Sequence, residues 1–279
     1  MAEIVGAFAT SHTPVMLNFP DAIDEADRRD IYAGFLRVGA ALARSKPDVV
    51  VVISDDHLHN FYLDNFPAFC IGASDVYPAP AEHWLKAEPH ELKGNAALGG
   101  HLIREALNAG FDPAFSMHLT LDHGVLTPLV LAGISTQVTV VPILVNCVQP
   151  PMPTMRRCLE WGRMLRNAIH SCDGVGNVAL LATGGISHDV GTPRMGFVNE
   201  AFDREFLRLL ATKEQDELVR FCTDHVNEAG NGGEEIRNWL VVHGATAGAQ
   251  FATDYYKAVP GWYTGIALGQ WNLESSASA

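Results

Sequence analysis

Residues 49–57 read Val-Val-Val-Val-Ile-Ser-Asp-Asp-His and contain the strongest indication of the fold. An unbroken run of β-branched residues predicts a strand that is buried on both faces, as in a parallel sheet covered by helices. In open α/β sheets, ligands bind in the crevice beyond the carboxyl ends of the strands. His57, which follows the run after three intervening residues, is therefore predicted to lie at the functional edge of such a sheet.

Three further histidines each follow an apolar, strand-like run in the same way, namely His12, His123 and His188. One histidine after a strand carries little information, but four are hard to assign to packing. Four imidazoles that converge on one sheet edge predict a metal site or a proton-transfer site. His59 would share a face with His57 in an extended segment, so spacing alone does not choose between these two.

Strand-like and helix-like runs alternate along the rest of the chain. This alternation predicts one α/β domain, in which helices flank a mainly parallel or mixed central sheet and the active site lies at the carboxyl ends of the strands. The domain is predicted to span residues 1–273, followed by a small polar tail over 274–279. Residues 73–93 contain three prolines and are predicted to form a long loop, and residues 118–124 are predicted to form a turn. Strands are predicted over 3–9, 48–54, 66–72, 113–117, 137–146, 176–183 and 261–271, and helices over 21–45, 93–109 and 154–171, with more helices up to about residue 250.

The bulk composition excludes several classes of protein. The chain has 279 residues, 48% of them hydrophobic, which is enough to bury a sizeable core. Its formal net charge of −13 argues against nucleic acid and anionic membrane surfaces as partners. No apolar run approaches the roughly 20 residues that cross a bilayer, and the N-terminal residues lack the basic segment of a signal peptide. The five cysteines have no Cys-x-x-Cys spacing, which predicts free thiols in a reducing cytoplasm.

A carboxylate candidate for the same edge lies in Gly232-Gly233-Glu234-Glu235-Ile236, where a glycine-rich loop opens a helix. An acidic pair at this place also complements the helix dipole. If one glutamate instead points at the histidines, two imidazoles and one carboxylate form the facial triad of non-haem Fe(II) oxygenases. Two histidines would then remain for acid–base chemistry. Asp55 and Asp56 are candidates for fixing an imidazole tautomer, with a solvated acidic turn as the alternative.

Six short motifs occur in order along the chain: Thr10-Ser11-His12-Thr13-Pro14, Asp56-His57, Leu121-Asp122-His123-Gly124, Thr183-Gly184-Gly185-Ile186-Ser187-His188, Pro193-Arg194-Met195-Gly196 and Gly233-Glu234-Glu235-Ile236-Arg237-Asn238-Trp239. Each motif is weak alone, but their joint order and spacing are specific. With these motifs the chain resembles the class III extradiol ring-cleavage dioxygenases, the family of the catalytic β subunit of protocatechuate 4,5-dioxygenase. The resemblance runs over nearly the whole chain.

The resemblance implies iron ligands at His12, His57 and Glu235. The second glutamate of the acidic pair is preferred because the family's ligand immediately precedes the aliphatic residue of the helix. The resemblance also implies a catalytic histidine at His188 and a second active-site histidine at His123. The family uses Fe(II) and O₂ to open catechol-type rings beside the hydroxyls, so a catechol-type substrate and O₂ are the expected partners.

The resemblance also bears on the ring substituent. A small hydroxyl residue near the C-terminus helps to hold the substrate carboxylate in the protocatechuate enzyme, and Trp262 replaces it here. This replacement predicts an apolar, aromatic or extended substituent, with Trp262, Tyr263 and Arg194 as candidate substrate-binding residues. A guanidinium at the pocket mouth can bind a more distant carboxylate, and Trp262 as a core residue is the alternative. Some relatives need a small helical subunit, so a homo-oligomer or a complex with such a subunit is expected.

Three other functions compete with this interpretation. A ring-cleaving dioxygenase that acts on 2-aminophenols would have the same site. A non-enzymatic metal-binding relative has no need for the additional histidines. A zinc hydrolase uses the same imidazoles, but it leaves two histidines without a role, and the sequence contains no hydrolytic motif.

Overall fold

Ten strands form one mixed sheet in the described part of the chain, residues 1–273 of a computed structural model. The strands are β1 (Glu3–Thr10), β2 (Val49–Ser54), β3 (Phe69–Gly72), β4 (Val76–Ala79), β5 (His90–Gly94), β6 (Ala114–Ser116), β7 (Thr139–Val145), β8 (Asn177–Thr183), β9 (Phe251–Val259) and β10 (Thr264–Trp271). The α-helices are α1 (Val15–Asn18), α2 (Glu25–Arg44), α3 (Ala96–Asn108), α4 (His123–Leu131), α5 (Met155–His170), α6 (Glu200–Leu210), α7 (Gln215–His225) and α8 (Ile236–Ala245).

Strand β2, the valine-rich run, lies at the centre of the sheet and is buried along its whole length. It pairs in parallel with β7 and β8, and β8 pairs in parallel with β1. Val51 belongs to one apolar core with residues of α5 and α8, whereas Val50 belongs to a second core with residues of α2 and α4. Helices therefore cover both faces of β2, which explains its unbroken apolar sequence. The predicted α/β fold with a mixed central sheet is confirmed.

The ends of the central parallel strands lie level with one another. The register pairs Thr10 of β1 with Thr183 of β8, and Ile53 of β2 with Ala182 of β8. The hydroxyl of Thr183 donates to the hydroxyl of Ser54 across 2.9 Å. Segments that leave these three strands therefore emerge side by side at one edge of the sheet.

Two predictions about local structure were wrong in part, and one strand was not predicted. Residues 73–93 contain the antiparallel pair β4 and β5 at the sheet edge, where a proline is compatible with a strand. The predicted turn over 118–124 gives way to α4 at His123, because the Asp122 carboxylate caps that helix through the N–H of Gly124. Strand β9 was not predicted, because much of its surface is exposed and polar. The strand predicted over 261–271 is present as β10, which pairs antiparallel to β1. The predicted tail over 274–279 lies outside the described residues.

All five cysteines are buried and unpaired, as their spacing predicted. Burial raises the pKa of Cys70 and of Cys158 to about 12, so these thiols are protonated and unreactive at neutral pH. Among residues 1–273, none of the helices has the length and apolar character that crossing a membrane requires.

Two glycines allow α5 and α8 to pack with their backbones in close contact. A Cβ atom at Gly162 would lie 1.8 Å from the carbonyl oxygen of Val241, and one at Gly244 would lie 2.1 Å from that of Leu159. Glu235 is the residue directly before α8. The close approach of the two helices therefore sets the position of Glu235 relative to the sheet.

Gly162→Ala is expected to destabilise the protein by about 3 kcal/mol, because the added methyl group meets backbone that cannot move aside. The matched control is Gly100→Ala in α3, where the nearest atom is the tip of the Arg104 side chain at 3.7 Å. The control should gain about 0.5–1 kcal/mol from helix propensity. Urea unfolding of both variants measures the difference, and a Gly162→Ala midpoint at or above that of the wild type would contradict the close packing of α5 and α8.

Candidate metal centre

Side chains from three elements meet beyond the carboxyl ends of β1 and β2. The Nε2 atoms of His12 and His57 lie 3.4 Å apart. Glu235, at the start of α8, places Oε2 3.8 Å from Nε2 of His12 and Oε1 3.5 Å from Nε2 of His57. His12 and Glu235 are buried, and His57 is partly exposed. The structure therefore brings together the three residues that the motifs indicated as ligands.

The spacing of these atoms suits a single metal ion. One ligand atom from each of His12, Asp55, His57 and Glu235 lies within 4.8 Å of all the others. Donors that bind one ion at about 2.1 Å lie about 3–4 Å from each other, so small adjustments would bring all four into range. A second group with the same spacing consists of His12, His57 and His123. The imidazole and carboxylate donors present here fit a divalent transition-metal ion.

Asp122 fixes the tautomer of His57. Its Oδ2 atom lies 3.0 Å from Nδ1 of His57 and accepts the backbone N–H of the same residue at 2.8 Å. Nδ1 therefore carries the hydrogen, and Nε2 is free to bind a metal. Asp56, a sequence candidate for this role, instead accepts N–H groups of residues 59–61 and shapes the turn. Asp122 directly precedes His123, but its contact with His57 spans 65 residues, so the sequence carries no signal for it.

The Gly-Gly turn after β8 makes room for Glu235. Gly184 has φ of +106°, and a Cβ atom there would lie 2.7 Å from Oε2 of Glu235. The N–H of Gly185 donates to the same carboxylate oxygen. Glu234, the other member of the acidic pair, forms an ion pair with Arg237. Only the second glutamate therefore faces the histidines.

His188 lies beside the ligand groups and belongs to neither of them. Its Nδ1 atom donates to the carbonyl of Ile186 at 3.1 Å, because a carbonyl can only accept. Nε2 is therefore the unprotonated nitrogen, and it lies 3.6 Å from Oε1 of Glu235. A Cβ atom at Gly232 would lie 2.0 Å from this Nε2 atom, so only glycine leaves room for the ring.

His123 packs on His57 with ring centroids 4.0 Å apart. Its Nδ1 atom and its backbone N–H both donate to the buried carboxylate of Glu82. Nε2 of His59 also lies 3.3 Å from Glu82, so His59 pairs with this carboxylate and is not part of a ligand group. Glu82 was missed because it lies in the predicted loop, where nothing marks one acidic residue above the others.

Neighbouring charges set the protonation of the cluster before a metal binds. Burial lowers the pKa of His12 to about 3. Burial also opposes a charge on His57, but the carboxylates of Asp55 and Asp122 outweigh it and raise that pKa well above its usual value. Burial and the charge of Glu235 raise the pKa of Asp55 to about 8. A divalent ion would therefore release protons from this cluster when it binds.

Trp262 is fully buried in the apolar core. Its indole ring stacks on Tyr32 with centroids 6.0 Å apart, and its N–H donates to the carbonyl of Phe19 at 3.3 Å. This placement matches the alternative interpretation of Trp262 as a core residue. Its contact with a substrate stays a prediction.

Three exposed side chains lie next to His123 or next to chain segments that adjoin His188. Arg194 is half-exposed and pairs at 3.3 Å with Asp189, the residue after His188. Tyr263 is partly exposed and lies against the segment that carries Arg194, since its Cδ1 atom is 3.7 Å from the position of a Cβ atom on Gly196. Trp84 is exposed and has its ring 6.3 Å from that of His123. Trp84 was not predicted as a site residue because it also lies in the predicted loop over 73–93, where nothing in the sequence marks it.

Comparison with known proteins identifies the family. The family model for the catalytic LigB subunit of aromatic ring-opening dioxygenase matches residues 6–267. The chain belongs to this family. The recognition of an extradiol dioxygenase from the six motifs is confirmed, and the protein is a ring-opening dioxygenase.

Two similar dioxygenases match over almost the whole chain, and a third matches over about half of it. The 2,3-dihydroxyphenylpropionate/2,3-dihydroxicinnamic acid 1,2-dioxygenase of Burkholderia vietnamiensis is 30% identical over 309 residues, which cover 92% of this chain and 93% of that protein. The protein of the same name from Photorhabdus laumondii is 28% identical and covers 95% of this chain and 96% of its own. Gallate dioxygenase of Pseudomonas putida is 37% identical over 54% of this chain and 45% of its own length. The crystal structure of the uncharacterized protein JW3007 from Escherichia coli K12 has a TM-score of 0.65 at 18% identity, over 96% of this chain and 99% of that one, and shows the fold alone.

Divalent metal ions are expected to raise the thermal midpoint of the metal-stripped protein, because a ligand that binds only the folded state stabilises it. His57→Ala should lose most of this increase. The matched control, His59→Ala, should keep it, because His59 pairs with Glu82. Thermal unfolding with and without Zn²⁺, or Fe²⁺ under nitrogen, measures the effect. If His59→Ala loses more of the metal-dependent increase than His57→Ala, the ligand is His59 and not His57.

Proposed function

We propose that the chain is a non-haem Fe(II)-dependent extradiol dioxygenase that inserts both atoms of O₂ into a catechol-type ring and opens it beside the hydroxyls. One observation carries the proposal: two imidazoles and one carboxylate, from His12, His57 and Glu235, converge at a sheet edge next to two histidines that remain free for proton transfer. This donor set suits Fe(II) oxygenases. The similar proteins are named as dioxygenases of dihydroxylated aromatics and of gallate, and these names support the same chemistry.

The protein holds its ligands in place through groups outside the ligand set. Asp122 orients His57 through Nδ1, and the N–H of Gly185 orients Glu235. Bound Fe(II) would supply the redox chemistry and a common binding point for the catechol oxygens and O₂. Binding of both reactants at one centre removes the entropy cost of bringing them together from solution during the reaction.

His188 is proposed as the base that accepts a proton from the diol. The Ile186 carbonyl fixes the hydrogen on Nδ1, so Nε2 is the atom that takes the proton. Burial disfavours the resulting imidazolium, but the charge and hydrogen bonding of Glu235 together with the Ile186 carbonyl and Asp55 outweigh burial and raise the pKa of His188. Removal of the diol proton leaves a better chelating oxygen.

His123 is proposed as the second proton-transfer group. Its Nδ1–H donates to Glu82, so Nε2 is the atom that exchanges protons with the reactants. Glu82 therefore orients the ring, and His59 pairs with the same carboxylate. His123 is placed to return a proton to an oxygen of the ring being opened.

The exposed residues near the histidines favour a catechol with an extended substituent. Arg194 lies next to the His188 segment and can bind a carboxylate that is several bonds away from the ring. The faces of Trp84 and Tyr263 offer apolar surface for the substituent itself. Two similar proteins are named for dihydroxyphenylpropionate, in which the carboxylate lies at the end of a short chain.

Several expectations from the sequence stay predictions. These are a cytoplasmic location, a homo-oligomer or a complex with a small helical subunit, and a catalytic domain that spans residues 1–273.

Oxygen uptake tests the proposed function. Protein loaded with Fe(II) under nitrogen and then mixed with air and a catechol should consume one O₂ for each ring opened. Glu235→Gln should lose both bound iron and uptake, because the anionic ligand is gone. Uptake with 2-aminophenols alone would favour the aminophenol alternative, and full iron content and activity in Glu235→Gln would contradict the ligand assignment.

His188→Ala is expected to retain its iron and to lose turnover by about 10²–10⁴, the usual contribution of a general acid or base. Iron content by metal analysis and kcat by oxygen uptake separate the two effects. Loss of iron together with activity would make His188 a ligand. His123→Ala should also keep iron and lose rate.

The substituent preference is measured by kcat/KM. Catechols that carry an apolar or extended substituent should be turned over more efficiently than protocatechuate or gallate. Arg194→Met should selectively raise KM for a substrate with a remote carboxylate and leave KM for an uncharged 3-alkylcatechol unchanged. A clear preference for catechols with a carboxylate directly on the ring would contradict this specificity.

A further inference from the structure

A fourth candidate donor, Asp55, lies at the proposed ion position and is not among the three ligands implied by the motifs. We propose that Asp55 is a fourth protein ligand of the metal ion in the substrate-free enzyme, and that incoming reactants displace it. This inference rests on the proposed function, because it concerns the same ion.

The geometry of Asp55 matches that of the other three donors. Its carboxylate is completely buried, and one of its oxygens belongs to the four-residue group whose ligand atoms all lie within 4.8 Å of one another. Oδ2 lies 3.3 Å from Nε2 of His57, a spacing similar to that between the two histidine nitrogens. Asp55 follows β2 directly and lies two residues before His57, so one short segment after this strand carries both donors.

The Oδ2 atom of Asp55 has no hydrogen-bond partner among the described residues. A buried carboxylate oxygen without a partner is costly. The nearest group that could donate a hydrogen bond to Oδ2 is Nε2 of His57. This nitrogen carries no hydrogen once it binds a metal ion, so it cannot then donate to Oδ2. The ion itself is then the remaining partner within reach of Oδ2.

The other oxygen of Asp55 is held by a buried amide. Asn238 donates through Nδ2 to Oδ1 of Asp55 at 3.3 Å and to the carbonyl of Thr183 at 2.9 Å. Asn238 lies in the first turn of α8, three residues after Glu235. The amide therefore directs Oδ2 at the cluster, in the way that outer hydrogen bonds orient ligating carboxylates.

The ligand count limits when Asp55 can bind. Three protein donors, two diol oxygens and O₂ already complete an octahedral coordination sphere. Asp55 therefore fits only the ion without substrate, where it occupies a position that a reactant later takes. In that state its second negative charge neutralises a divalent ion and fills a position that O₂ would otherwise reach.

The test uses metal-stripped protein titrated with Co²⁺ under nitrogen. Asp55→Asn should bind Co²⁺ at least about tenfold more weakly than the wild type, and the visible absorption of bound Co²⁺, which reports coordination number, should change. The matched control is Asp189→Asn, which removes another buried carboxylate near His188 that belongs to neither ligand group. The control should bind Co²⁺ with wild-type affinity and spectrum.

Two further measurements need no variant that might fail to fold. A crystal structure of the wild type loaded with Co²⁺ should place Oδ2 of Asp55 about 2.1 Å from the ion. Addition of a catechol under nitrogen should move Asp55 off the ion and change the Co²⁺ absorption. Wild-type affinity and spectrum in Asp55→Asn, or a crystal structure with Asp55 away from the ion, would overturn the inference. Failure of the wild type itself to bind any ion would contradict the proposed function as a whole.

Discussion

Ionisable groups are concentrated and buried at one edge of the sheet, and this constraint governs the rest of the structure. Asp55, Asp122 and Glu235 are all largely removed from water within a few ångströms of His12 and His57. Buried carboxylates are costly unless a cation or hydrogen bonds compensate them. Asp122 is compensated by His57 and by backbone N–H groups, whereas Asp55 and Glu235 face the gap between the two imidazoles. A divalent ion in that gap would compensate these carboxylates, and we propose that it is the reason why these groups are buried together.

The fold supplies this arrangement through close backbone contacts. Parallel strands β1, β2 and β8 end level with each other, so the segments that follow them lie side by side. Helix α8 brings Glu235 to the same edge, and its close packing on α5 depends on Gly162. Gly184 and Gly232 clear the space that Glu235 and His188 occupy. The glycines thus connect core packing to the geometry of the site.

The sequence predicts the parts of this arrangement that depend on local pattern. The valine run over 49–53 indicated a central strand, and histidines after apolar runs indicated the functional edge. The predictions fail where a long-range contact decides the outcome. Asp122 and Glu82 orient histidines that are 65 and 41 residues away in sequence, and no local pattern marks either pairing. The hairpin of β4 and β5 exists because the edge of a sheet accepts prolines, which a local reading assigns to a loop.

Anomalous X-ray diffraction at the iron edge, on crystals loaded with Fe(II) under nitrogen, locates the bound metal ion. We expect one anomalous peak within bonding distance of Nε2 of His12, Nε2 of His57 and a carboxylate oxygen of Glu235. The group formed by His12, His57 and His123 has suitable spacing as well. A peak bonded to His123 instead of Glu235, or no ordered iron at this edge, would contradict the proposed metal centre.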